Sequence, residues 1–176
     1  MDDIRVRSET LDDIKAIDVV NLSAFQGENE ARLVTDLRQL PGYVPDQSMV
    51  AEFHNRIVGH LMLTPVALST AEGEVALNVI APMSVVPSQS HRGIGSTLVH
   101  TAIERSKSMG KVAIIVAAHP EFYSKFGFEK ASSWNVSCNL PVPEEAVMLL
   151  ELKEGALNSN GKVNYPPLFL EFYSSK

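Results

Sequence analysis

The chain reads as an α+β fold, helices layered on a mixed sheet, and three observations predict it. Strand-like and helix-like segments follow one another in the order βααβββαβαβ, with a last strand after them. One strand, 79–86, passes through a short polar loop and Gly93-Ile-Gly95 directly into an amphipathic helix. The 176 residues, 45% hydrophobic and 20% charged, suffice for a single domain, 1–176, with a sizeable core.

Ile4 and Val6 alternate with arginines in a short first strand. Thr10 is placed to cap a helix over 11–24, with Asp12 and Asp13 in the first turn, where acids suit the helix dipole. Its apolar stripe is Leu11, Ile14, Ile17 and Val20, with Val19 beside it. A second helix fits 29–40 on Ala31, Val34, Leu37 and Leu40, and Pro41-Gly42 stops it. Segments 48–53 and 57–63 form a hairpin about His54-Asn-Arg56, and a third antiparallel strand, 75–86, follows the polar turn at Glu72-Gly-Glu74. Pro82 interrupts that strand's ladder, because proline has no N–H to donate. The next helix carries Ile94, Leu98, Val99, Ala102 and Ile103 on one stripe and closes at Gly110. Then come a strand over 112–118, a short helix over 120–126, and strands near 134–138 and 146–152.

In the tail, Asn158-Ser-Asn-Gly161 is a turn, 162–165 a further strand, and Pro166-Pro167 a break. Leu168, Phe169, Leu170 and Phe172 are too apolar to stay in water. They pack on their own chain or on a second copy, which would make a homodimer, and the first is favoured.

Composition excludes several partners. A net charge of −6 without a basic run argues against nucleic acid. Mild acidity would suit a cationic amine, but it also keeps a protein soluble, and that plainer reading is preferred. The one cysteine, Cys138, rules out an internal disulfide and argues against a cysteine-rich metal site; it reads as a small filler. The amino terminus lacks a signal-peptide pattern, and the longest apolar run, 112–118, is far too short for a membrane span, so the cytoplasm is the expected compartment.

The strand–Gly-x-Gly–helix stretch carries the chemistry. A helix start leaves backbone N–H groups without acceptors at the positive end of the helix dipole, and glycines let an anion approach them. Arg92 adds a fork of donors suited to phosphate oxygens. A dinucleotide fingerprint fails, because its third glycine position is Leu98 and strand 112–118 ends without an acid. A phosphate-binding Walker loop fails too: neither Gly-Lys pair, at Gly110 or Gly161, is followed by Ser or Thr.

Three ordered signatures resemble the GNAT superfamily of acetyl-CoA-dependent N-acetyltransferases, and within it the bacterial enzymes of the YhbS type. They are Ala81-Pro-Met-Ser-Val85 in the strand, Ser90-His-Arg-Gly93-Ile-Gly95 at the helix start, and Phe122-Tyr123-Ser-Lys-Phe126-Gly127-Phe128 after the next strand. Ser90 stands where the family has Gln or Arg, with Gln89 one place early, which weakens one side-chain contact and leaves the backbone cradle intact. The resemblance implies a three-layer α/β/α fold whose mixed, mainly antiparallel sheet splays between its fourth and fifth strands. It implies acetyl-CoA as co-substrate, no metal, and an amine acceptor, either a small molecule or a peptide. The coenzyme would lie on His91, Arg92, Gly93, Ile94, Gly95 and Ser96, with backbone groups at Val85 and Val86, and on Tyr123 and Phe126.

Tyr123 is the expected general acid for the departing thiolate, because a phenol of ordinary pKa near 10 is protonated at neutral pH. The competing reading has it simply packed among Phe122, Phe126 and Phe128. For a general base the sequence offers His119, Glu52, Glu28, Glu30 or water and does not choose. A coenzyme-sensing module without catalysis, or a transferase using a succinyl or propionyl donor, is the alternative.

Overall fold

The computed structural model describes residues 3–157 and 160–175. The chain forms two compact units, Met1–Leu63 with Ala81–Ala102, and Thr64–Ile80 with Ile103–Lys176. Two long strands, β3 (Arg56–Thr70) and β4 (Gly73–Val85), and helix α3 (Ile94–Ser108) run from one unit into the other.

In the first unit, β1 (Arg5–Ser8) pairs antiparallel with β2 (Ser48–Phe53), and β2 pairs antiparallel with the first part of β3. The hairpin turn is tighter than expected. Phe53 pairs with Arg56, and His54 and Asn55 alone form the turn, at φ 51° and 61°. Two successive left-handed residues match the twist of the strands they join, and Asn tolerates that conformation better than most residues.

Helix α1 is Ile14–Phe25 and α2 is Asn29–Leu37. Both differ from expectation at their ends. Leu11–Asp13 form a separate 3-10 turn, where Thr10 and Asp13 bond reciprocally. That arrangement leaves Leu11 87% exposed, and Val19 is 61% exposed, so neither belongs to the buried stripe. The expected Ile17 and Val20 are buried, joined by Asn21, and Ile14 is half-buried. Helix α2 stops at Leu37 rather than at position 40, and its buried face is Glu30, Leu33, Val34 and Leu37, not Ala31 and Leu40.

The second unit continues β3 and β4. Leu68–Thr70 pair with β9 (Gly161–Val163), which pairs in parallel with β7 (Val136–Cys138). The first part of β4 pairs in parallel with β5 (Ala113–Ala117), which pairs antiparallel with β8 (Val147–Glu151), and β8 pairs with β6 (Glu129–Lys130). The strand order is therefore β1-β2-β3-β4-β5-β8-β6, a mixed and mainly antiparallel sheet as the sequence predicts. Trp134, expected at the start of a strand, lies in a 3-10 turn, Ala131–Trp134. Of the expected tail turn, Asn158 and Ser159 lie outside the described residues.

The tail's apolar run forms a helix, α5 (Pro167–Ser174), started by a proline whose missing N–H costs nothing at a first helical position. Phe169 is fully buried and Phe172 nearly so, both within their own chain.

Candidate active site

The helix start is built by backbone conformation. Strand β4 ends at Val85, and a 3-10 turn, Pro87–Gln89, leads to a loop in which His91 and Gly93 adopt φ of 66° and 82°. Space is not what demands glycine at 93, since a Cβ there would meet nothing within 4 Å; the left-handed backbone does. The first bond of α3 runs from Thr97 N–H to the Gly93 carbonyl at 3.0 Å. The N–H groups of Ile94, Gly95 and Ser96 therefore precede the helical ladder and have no acceptor within it. His91, Arg92 and Gly93 are exposed, Gly95 and Ser96 half-buried, and Ile94 buried.

Ile94 anchors this turn. Together with Leu98 it packs over Gly59 of β3, where an added Cβ would come 2.9 Å from Ile94 Cγ2, 3.1 Å from Leu98 Cδ1 and 3.2 Å from the Ser84 carbonyl. Gly59 thus lets α3 sit close on the strand. A glycine inside a strand pattern is the sequence signal for such close approach. Burying Ile94 and Leu98 stabilises this seat by about 1.5–3 kcal/mol each.

Arg92 lies over the Phe53 ring, its guanidinium carbon 5.3 Å from the centroid, a cation–π contact that orients the fork. Nothing in the sequence linked these two residues. The Val86 N–H donates to the Val58 carbonyl at 2.8 Å, so any coenzyme contact there falls to its other groups. Successive N–H groups of an extended strand point to opposite edges, so that of Val85 points away from β3. On that other edge, among the described residues, the parallel ladder of β4 with β5 runs from Leu77 and Ala113 and ends at Val79 and Ile115.

Tyr123 is in the second unit, on α4 (Pro120–Tyr123), and is 3% exposed. Its ring meets Phe122 at 5.0 Å and Phe128 at 5.3 Å, both edge-on, and Phe122 meets Phe126 at 5.2 Å. Burial, and after it the Tyr173 phenol, push the Tyr123 pKa well above its ordinary value. It stays protonated at neutral pH, and its ionisation moves beyond the ordinary tyrosine range.

The base candidates fare unequally. Glu52 is ion-paired to Arg7 at 2.7 Å, and exposed Glu28 to Arg32 at 2.6 Å. Glu30 is buried on the inner face of α2. His119 is exposed at the start of α4, its carbonyl accepting from the N–H groups of Phe122 and Tyr123. Fully buried His60 holds its ring between Ser48 Oγ, at 2.8 Å, and Asn21 Nδ2, at 3.5 Å. Burial first, then nearby Arg38, lower its pKa to about 3, so it is a neutral structural residue.

A family model described as an acetyltransferase (GNAT) domain matches residues 5–131. The chain belongs to the GNAT acetyltransferases. It is 29% identical over 169 residues to the uncharacterized N-acetyltransferase YhbS of Escherichia coli (strain K12), covering 95% of this chain and 99% of YhbS. It is 30% identical over 134 residues to the uncharacterized N-acetyltransferase YjhQ of the same strain, covering 76% of this chain and 74% of YjhQ. The crystal structure of Escherichia coli YhbS in complex with CoA superposes with a TM-score of 0.86 at 27% identity, over 96% of this chain and 93% of that one. A Brucella melitensis GNAT family acetyltransferase in complex with acetyl-CoA has a TM-score of 0.72 at 22% identity, over 95% and 98% of the two chains, and shares the fold.

This acetyltransferase therefore has the GNAT fold expected from its three signatures. Among its described residues no helix is long and apolar enough to cross a membrane.

Proposed function

We propose that the chain, read over 1–176 as one domain, moves an acetyl group from acetyl-CoA to a primary amine. The observation that carries this reading is the start of α3, where the amides of Ile94, Gly95 and Ser96 precede the helical ladder beside Arg92. Those donors would take the pyrophosphate, with His91 and Gly93 shaping the loop. The Val85 N–H, directed away from β3, would donate to the thioester oxygen as it gains charge.

The neutral amine attacks the thioester carbon, forming the C–N bond and sending electrons onto oxygen. The intermediate collapses, the C–S bond breaks, and the nitrogen sheds a proton to solvent. Tyr123 donates the proton that the leaving thiolate needs. Its raised pKa makes it a weak acid in the resting protein. The transfer therefore relies on negative charge developing at sulfur beside it. Phe126 would pack against the coenzyme.

The YhbS crystal structure, of a protein complexed with CoA, supports the choice of coenzyme. Burial of Tyr123 among aromatic rings favours, as a second reading, a module that binds coenzyme and catalyses nothing. One experiment separates the two: thiol release from acetyl-CoA across a panel of amines, with products read by mass spectrometry. Amine-stimulated release with an N-acetylated product is expected. Coenzyme binding without product from any amine would favour the module.

A further inference from the structure

We propose that Tyr173, on the carboxy-terminal helix α5, is a positioning residue for acetyl transfer: its phenol holds the end of β5 and so the turn that carries Tyr123. The proposal rests on the reading of Tyr123 as the acid.

The last residues of β5 are tied to the sheet on one edge only. Ala117 is in register with Val147 of β8, and the Ala118 N–H donates to the Ala146 carbonyl at 3.2 Å. Because the C=O and N–H of one trans peptide group point in opposite directions, the Ala117 carbonyl faces away from β8. On that edge, the parallel ladder to β4 has already ended at Val79 and Ile115. A carbonyl at a strand end still needs a donor, and Tyr173 Oη supplies it at 3.3 Å.

From this point the chain passes through Ala118 and His119 into α4, where Tyr123 lies. The His119 carbonyl accepts from the Tyr123 N–H at 3.3 Å, so the path from the held carbonyl to the acid is a short hydrogen-bonded turn. The Tyr173 phenol also raises the Tyr123 pKa, after burial.

The hydroxyl of Tyr173 is not what seats α5. Phe169 and Phe172 do that, the first fully buried and in edge contact with Tyr165 at 5.4 Å. Removing the hydroxyl should therefore loosen the β5–α4 turn while leaving the helix in place.

The test is a cycle of Tyr173→Phe, Tyr123→Phe and the double variant, read by single-turnover acetyl transfer with saturating amine, together with coenzyme affinity and thermal melting. Tyr173→Phe should slow the chemical step about tenfold with coenzyme affinity and melting near parental, since misplacing a catalytic group costs rate rather than binding. The double variant should be no slower than Tyr123→Phe alone, because a residue acting through another loses its effect when that other is gone. Replacing Tyr173 with 3-fluorotyrosine, which keeps ring and donor, should leave the parental rate. A parental rate in Tyr173→Phe overturns the proposal, as does an additive loss in the double variant. A Tyr173→Phe protein that fails to fold also overturns it, since the hydroxyl would then carry the helix. If Tyr123→Phe alone reacts at the parental rate, the acid assignment fails first and takes this proposal with it.

Discussion

The two units present their candidate residues by different means. At the start of α3 the donors are backbone N–H groups, exposed by two left-handed residues and anchored by Ile94 and Leu98 over Gly59. At Tyr123 the candidate group is a side chain, in edge contact with Phe122 and Phe128, its pKa raised by burial and, after it, by the Tyr173 phenol from the far end of the chain. A backbone site is fixed by local sequence and tolerates changes of neighbouring side chains. A side-chain site is fixed by packing between segments distant in sequence, so remote changes reach it.

The titratable groups buried in the two units are also opposite in sense. In the first, His60 is kept neutral by a pKa lowered to about 3. In the second, Tyr123 and Tyr165 are kept neutral by raised values, burial being the first cause in both.

The largest expected effect follows from that opposition. For His60 the folded value lies below the unfolded value of about 6.5, so its stabilisation is complete above 6.5 and is lost as pH falls towards 3. Its full loss is on the order of 5 kcal/mol. Asp13, held near 2 by its hydrogen bond to Arg7, adds to the loss only below about pH 4. The two buried tyrosines behave inversely. Their stabilisation is complete below an unfolded value of about 10 and is lost as pH rises through it. Tyr43, pushed to about 12 mainly by burial, gives the first unit a smaller alkaline loss, because it stays partly in solvent.

Limited proteolysis with cut sites mapped by mass spectrometry should read this directly. Pepsin at about pH 4 should cut first within 48–62, and subtilisin at about pH 10.5 first within 113–173. The reverse order would erase the contrast between the units.

A smaller effect sharpens the backbone half of the comparison. Gly95→Val places a branched side chain among the free amides of the α3 start. Acetyl-CoA affinity should fall at least tenfold, or about 1.4 kcal/mol, with the fold retained. Calorimetry giving an unchanged affinity in a folded variant would remove the coenzyme from this turn.

Much of this was readable from sequence because the decisive signals were local. Gly93 and Gly95 between a strand and an apolar-striped helix specify the left-handed turn into α3, and the three signatures specify the family. What was missed depends on distant pairs. Leu11 and Leu40 fit a helical stripe on spacing alone, yet with Thr10 and Asp13 bonded reciprocally α1 starts only after the first, and α2 stops before the second. Arg92 over Phe53, the Val86 bond to Val58 and the Tyr173 bond to Ala117 join segments that no periodicity connects. The helical form of 167–174 was hidden by its two prolines, read as a break when the second is a helix start.

The most direct test of the account is the single-turnover rate of Tyr123→Phe at saturating acetyl-CoA and amine. The ring and its burial are kept and only the donated proton is removed. A loss of roughly a hundredfold, with coenzyme affinity and melting near parental, is the expected result, since general acids contribute about 10²–10⁴-fold. Below about pH 10, where the tyrosine stabilisation is complete, the parental protein should show no alkaline loss of rate, because burial has moved the phenol's ionisation upward. A variant that transfers acetyl at the parental rate would contradict the account and leave Tyr123 as part of the core.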